Sequence, residues 1–205
     1  MRAYFFDFDG TLALLNEDRF FNDYFKSLGD FLGMDPEELA GRITLIIRGI
    51  TINADGLRNN YERFMESFIK KFGGNAEEWE KIFKKFYESS HFKRLSSHFL
   101  PNNRVIMYMR ERKKEGCKIV LATNPVFPRI AIAERLSWIG LREEDFDLIT
   151  SMEDFHYCKP DPRYFLEICS KISEKPENCV MVGDDNEMDG ACEDVGIKFI
   201  KVSSL

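Results

Sequence analysis

The chain has 205 residues, 44% hydrophobic and 31% charged, which excludes a disordered chain or a disulfide-stapled miniprotein and fits one large domain or two small ones. Its 29 basic and 35 acidic residues give a formal charge of −6, which argues against a surface built for nucleic acid or anionic lipid. No window approaches the run of about 20 apolar residues that spans a bilayer, and the opening MRAYFFDFDG lacks the apolar core of a signal peptide. A soluble, cytoplasmic protein without membrane or nucleic-acid partners, monomeric or weakly dimeric, is the expectation.

The first predicted element is a strand over residues 2–8, alternating aromatics with carboxylates until Gly10 breaks it. Residues 14–98 then read as an all-helical block holding ten of the 19 phenylalanines. Phe21, Tyr24, Phe25, Leu28 and Leu32 recur at helical spacing. Pro36 behind Asp35 opens a second helix that takes in Leu39 and Ile43. Tyr61, Phe64, Met65, Phe68 and Phe72 mark a third, and Trp79, Ile82, Phe83 and Phe86 a fourth. These aromatics read as the core of a bundle.

Beyond residue 100 the pattern changes to alternation. Helices are predicted over 103–115, 127–139, 162–173 and 188–195, and strands over 118–122, 146–150, 179–182 and 197–202. Such alternation predicts an α/β fold with a parallel sheet, whose ligands bind beyond the carboxyl ends of the strands. The polar residues fall there: Asp7 and Asp9 at the end of the first strand, Thr123 and Asn124 after KIVLA, and Gly183, Asp184 and Asp185 after CVMV. The five cysteines, odd in number and without a CxxC spacing, read as small packed residues, and the three histidines lack metal-ligand spacing.

FFDFDGTL carries the most chemistry. Side chains in a strand repeat every second residue, so Asp7 and Asp9 are expected on one face with their carboxyl groups together at its end. Like charges so placed call for a cation or a shared proton. Gly10 and Thr11 turn the chain and offer backbone N–H groups to an anion.

DFDGT, then Thr123, then Lys159 in a KPDP segment, then GDD resemble, in that order, the four motifs of the haloacid dehalogenase-like hydrolases. The resemblance spans the chain. It implies a Rossmann-like core over 1–13 and 99–205, helices flanking its parallel sheet, and an all-helical cap over 14–98. It implies that Asp7 is a nucleophile forming an aspartyl-phosphate and that Asp9 is the general acid and then base. Dehalogenases proper lack the second aspartate, so phosphoryl chemistry is the expectation. Thr123 would bind a phosphoryl oxygen, with Gly10 and Asn124 beside it, and Lys159 would place a charge on the transferring group. Mg²⁺ would be held by Asp7, the backbone carbonyl of Asp9 and Asp184; of Asp185 and Asp189, the latter is favoured as support by its spacing.

The cap is less informative. Arg48, a charge inside the apolar run RITLIIRGITIN, is either a cap residue reaching the substrate or a helix-end cation beside a C-cap glycine at Gly49. Asn16 and Glu17, near the hinge, are weaker candidates, and His156 and Tyr157 are read as structural. The function that follows is a Mg²⁺-dependent phosphatase of a small phosphorylated metabolite. A sugar phosphomutase and a non-catalytic binding protein on the same scaffold are the alternatives, while a dinucleotide-binding domain is weakened by the lack of GxGxxG.

Overall fold

The computed structural model describes residues 2–205. Five parallel strands form the sheet: β1 (Ala3–Phe6), β4 (Lys118–Leu121), β5 (Leu148–Ile149), β6 (Cys179–Gly183) and β7 (Lys198–Lys201), in the order β5-β4-β1-β6-β7. The first strand is thus the central one. Its neighbours lie in matching register, Phe6 opposite both Leu121 and Val182, so β1, β4 and β6 end abreast. Chain direction around the sheet reverses at β1, which opens a crevice at the carboxyl ends there. The strand is shorter than the expected 2–8, so Asp7 and Asp9 lie beyond it, on the turn. The expected strand at 146–150 narrows to two residues, and the segment after Met188 forms a 3₁₀ turn over Gly190–Val195 in place of an α-helix.

A second, two-stranded ribbon pairs β2 (Ala13–Leu14) antiparallel with β3 (Leu100–Pro101). Between them lie α1 (Glu17–Leu32), α2 (Pro36–Ile52), α3 (Asn60–Phe72), α4 (Ala76–Glu88) and the short α5 (Ser90–Lys93), with a loop over 53–59 and a 3₁₀ turn over Arg94–His98. Each long helix is started by a side chain that accepts a backbone N–H: Asn16 for α1, Asp35 ahead of Pro36 for α2, Asn59 with Glu62 in a reciprocal capping box for α3, and Asn75 for α4. Phe68 centres the bundle, with the rings of Phe64, Phe72, Trp79 and Phe83 within 4.3–5.6 Å of it. Burial of one such ring is worth about 1.5–3 kcal/mol, so this cluster outweighs any single surface ion pair in holding the helices.

The helical part is also fastened to the sheet away from the ribbon. The start of α3 donates the Asn60 and Tyr61 N–H groups to the Phe155 and Met152 carbonyls at 2.8 Å each. Asn60 Nδ2 reaches the Pro125 carbonyl at 3.1 Å, and Arg63 reaches the His156 carbonyl at 2.9 Å. The remaining helices are α6 (Asn103–Lys114), α7 (Arg129–Trp138) and α8 (Pro162–Lys171), which flank the sheet. No helix among the described residues is long and apolar enough to cross a membrane. All five cysteines are free and four are buried.

Candidate active site

The site is built where β1, β4 and β6 end. Asp7 follows β1 directly, its N–H donating to the Val182 carbonyl at 3.0 Å. Lys159 arrives from the loop before α8, its own N–H bonded to Asn124 Oδ1 at 3.2 Å. Lys159 is 2% exposed, and its ammonium donates to Asp7 Oδ1 and Asp189 Oδ1, each at 2.6 Å. Asp7 Oδ2 is left without a protein partner among the described residues.

Asp184, one residue past β6, accepts from the Thr11 hydroxyl at 3.3 Å. One carboxylate oxygen each from Asp7, Asp184 and Asp189 lie within 4.8 Å of one another. Three carboxylates face one ammonium, an excess of two negative charges if all are ionised. Burial pushes the Asp7 carboxyl up to about 7, with Lys159 opposing the shift and Asp189 adding to it. Asp184 is raised as well, by burial and then by Asp189. For Lys159, burial would lower the value, but the Asp7 and Asp189 carboxylates outweigh it and hold the group charged. An all-oxygen donor set with two uncompensated charges fits a hard divalent cation such as Mg²⁺.

Two glycines leave room for this cluster. A Cβ on Gly10 would stand 2.2 Å from Asp184 Oδ2, and one on Gly183 would stand 2.1 Å from Asp189 Oδ2. Gly10 also has φ +72°, in the left-handed region. Of the two N–H groups expected to serve an anion, that of Thr11 instead turns back to the Phe8 carbonyl at 3.4 Å.

Thr123 is buried one residue beyond Ala122, and its carbonyl accepts from the Thr150 hydroxyl at 2.6 Å and the Tyr164 hydroxyl at 2.9 Å. Asp189 is 1% exposed inside the cluster, whereas Asp185 is exposed and accepts the Glu187 and Met188 N–H groups in a local turn. Glu17, at the start of α1, lies close enough for Asp9 and Asp184 to add to the upward shift that burial gives its carboxyl. Asn16 only caps α1. His156 pairs with Glu167 at 2.8 Å, and the Tyr157 ring lies under the Arg163 guanidinium.

Arg48 is not brought to the carboxylates. It is exposed on α2 and makes no hydrogen bond or ion pair among the described residues. Nor does Gly49 end the helix, which runs on to Ile52 and is capped at Asn53, so the expectation of a helix-end cation beside a C-cap glycine is also corrected.

Asp9 departs from the expected pairing with Asp7. Its carboxylate is absent from the three-carboxylate cluster, and Oδ1 accepts from Arg135 at 2.5 Å. Arg135 lies on α7 and was not among the residues singled out from the sequence. A signal for it exists: Ile132, Arg135, Leu136 and Ile139 occupy i, i+3, i+4 and i+7, so the arginine sits on the apolar stripe of its helix. A hollow of about 670 Å³ lies elsewhere, between α1, α2, α3, α4 and the loops after β4 and β5. Apolar side chains such as Phe25, Phe83 and Phe127 line it, and none of the clustered carboxylates does.

A doubly wound parallel sheet that gathers an aspartate, a lysine and two further carboxylates at its reversal point defines an α/β protein with a polar cluster of oxygen donors and one buried ammonium at the carboxyl ends of its strands. The profile of the haloacid dehalogenase-like hydrolases matches residues 1–191, and the chain belongs to that family. Pyrophosphatase PpaX of Bacillus cereus strain Q1 is 23% identical over 198 residues, 97% of this chain and 81% of the relative. PpaX of strain G9842 is 28% identical over 95 residues, 46% of this chain and only 43% of that relative's length. The fold is shared with a phosphatase of the family from Thermococcus onnurineus (24% identity, 97% and 85% of the two chains, TM-score 0.59). It is shared also with a family enzyme from Bacteroides thetaiotaomicron solved with magnesium and inorganic phosphate (15% identity, 98% and 93%, TM-score 0.58).

Proposed function

We propose that the protein is a Mg²⁺-dependent phosphatase that hydrolyses a small phosphate monoester through an aspartyl-phosphate on Asp7. The observation that carries this reading is the grouping of buried Asp7, Lys159 and Asp189 with half-buried Asp184 at the reversal point of the sheet. Lys159 fixes Asp7 by Oδ1, which leaves Oδ2 as the attacking atom. As the bond from Oδ2 to phosphorus forms, the bond from phosphorus to the ester oxygen breaks, and Asp9 gives that oxygen its proton. Asp9 then takes a proton from the water that attacks the aspartyl-phosphate, releasing inorganic phosphate and restoring Asp7.

Lys159 supplies positive charge to the transferring group, and the Thr123 hydroxyl, Gly10 N–H and Asn124 lie in the surrounding loops as donors to its oxygens. Asp7, Asp184 and the Asp9 carbonyl would hold the cation, with Asp189 positioning Lys159 beside it. When bound, the cation neutralises the dianionic phosphate so that a carboxylate can approach it. The helices between β2 and β3 serve as the cap over residues 14–98, which excludes water from the site.

The test is a panel of alkyl and aryl phosphate monoesters with Mg²⁺, extended to inorganic pyrophosphate because of the named activity of the PpaX relatives. Turnover is expected on at least one monoester, abolished by a chelator and restored by Mg²⁺, and reduced to background in Asp7→Asn. Absence of turnover across the panel, or chelator-resistant activity, would overturn the proposal.

A further inference from the structure

Arg135 is a cation placed where an apolar residue would cost less. Its side chain is 2% exposed, its Nε has no hydrogen-bond partner, and its guanidinium lies among four phenyl rings. The ring centroids of Phe8, Phe127, Phe99 and Phe20 are 4.7, 5.0, 5.2 and 5.4 Å from Cζ. Rings attract a cation through their faces, but desolvating a guanidinium is expensive, and a methionine or leucine at this helix position would fill the space without that cost. Among the described residues, Asp9 Oδ1 is the one carboxylate oxygen that Arg135 reaches.

Asp9 needs such a partner. It lies in the turn between β1 and β2, on no regular element, beside a glycine in the left-handed region. Its neighbours give it no other side-chain hydrogen bond, so without Arg135 its carboxylate would be free to rotate about two torsions. The four rings hold the guanidinium from several sides and so fix where it points. They come from the strand-to-cap turn (Phe8), the cap helix α1 (Phe20), the return from the cap (Phe99) and the loop after β4 (Phe127).

We propose that Arg135 is a positioning residue that holds the Asp9 carboxylate by Oδ1 and so aims Oδ2 for proton transfer to the leaving oxygen. The inference rests on the phosphatase reading above, with Asp9 as general acid. Arg135 itself touches neither substrate nor the reacting atoms. Because one ring of the four belongs to the cap, the aim of Asp9 also depends on how α1 sits against the sheet.

A general acid matters in proportion to the basicity of the leaving group. An alkoxide must be protonated as it departs, whereas p-nitrophenolate departs without a proton. The experiment compares kcat/KM, which reports the step up to bond cleavage, for p-nitrophenyl phosphate and for the alkyl ester that the wild-type protein turns over fastest. Arg135→Met is expected to lower kcat/KM about 100-fold for the alkyl ester and less than about 3-fold for the aryl ester, the span that loss of general acid catalysis commonly covers. Arg135→Lys should recover part of the alkyl activity. With Asp9→Ala in the background, Arg135→Met should add no further loss, since both act through one carboxylate.

Equal losses for the two esters in a folded variant, or additive losses in the double variant, would overturn the proposal. Should Arg135→Met fail to fold, Phe20→Leu keeps the ion pair and loosens its cage; a loss larger for the alkyl than for the aryl ester supports the proposal, and equal losses contradict it. If the wild-type protein turns over neither ester, the phosphatase reading fails first; if it turns over both and the losses are equal, only the role of Arg135 fails.

Discussion

Tyr24 and Tyr87 face each other in the helical part, their hydroxyl oxygens 3.1 Å apart. Burial pushes the Tyr24 phenol up to about 12 from an ordinary value of 10.0, with the bond to Tyr87 acting against the shift, and burial raises Tyr87 too. In the unfolded chain both lose their protons near pH 10, while the folded protein keeps them. The unfolded state therefore binds fewer protons above pH 10, and stability, complete below that value, drains as pH rises towards 12. For Tyr24 the loss amounts to about 3 kcal/mol. Denaturant melts at pH 9 and pH 11.5 should show this fall, and Tyr24→Phe with Tyr87→Phe should flatten it. Asp7, Thr123, Lys159 and Asp184 could be read from motif order because each is the first or second polar residue after an apolar run or sits in a proline-fixed loop. Arg135 could not be read that way: the pair Glu134–Arg135 looks like an ordinary solvated couple, and only the packing of Phe8, Phe20, Phe99 and Phe127 around it reveals that the helix face is turned inward.

The turn from β1 into β2 is the element on which the site depends most. Asp7, Asp9, Gly10 and Thr11 lie within it, and Asp184 packs into the space that Gly10 leaves open. Gly10→Ala adds a methyl group in a conformation that disfavours it and drives it into the Asp184 carboxylate. Activity on the best monoester should fall about 100-fold or more, the cost of an ångström-scale displacement in a site. Mg²⁺ affinity should weaken with it, measured by titrating the metal calorimetrically. A variant with unchanged affinity would contradict the assignment of Asp184. Elements were legible in proportion to their length. Of the four long helices of residues 17–88, α1, α3 and α4 announce themselves through a repeating stripe rich in aromatics, and α2 through Pro36 behind Asp35 with Leu39 and Ile43. The ribbon strands are two residues each, too short to carry a period, β5 is narrower than the 146–150 expected, and the run after Met188 lacks a full apolar stripe and tightens into 3₁₀ geometry.

At the scale of the whole molecule the sheet and the helical insertion share one interior. A continuous apolar cluster runs from Tyr4 and Phe6 on one face of the sheet through Phe8 and Phe20 to Phe68 and Phe86 between the inserted helices. The opposite face has its own cluster around Phe5, Phe165 and Met181. With that shared interior and the fastening of α3 to the Phe155 and Met152 carbonyls, the two parts should unfold together. Far-UV circular dichroism and tryptophan fluorescence, which reports on Trp79 and Trp138, are expected to give coincident denaturant transitions. Separated midpoints would show that the helices melt alone.

The central position of β1 has a consequence for how the protein is made. Ala3 pairs with Lys118 on one side and Cys179 on the other, so the strand that leads into Asp7 takes both of its neighbours from segments far later in the chain. During translation, the apolar segment that leads into Asp7 waits as an unpaired edge while the helices behind it can already collapse on their own aromatics. Contacts so distant along the chain fold slowly and leave such edges open to aggregation. The strand at the centre of the sheet is therefore completed only by segments that lie far beyond it in the chain.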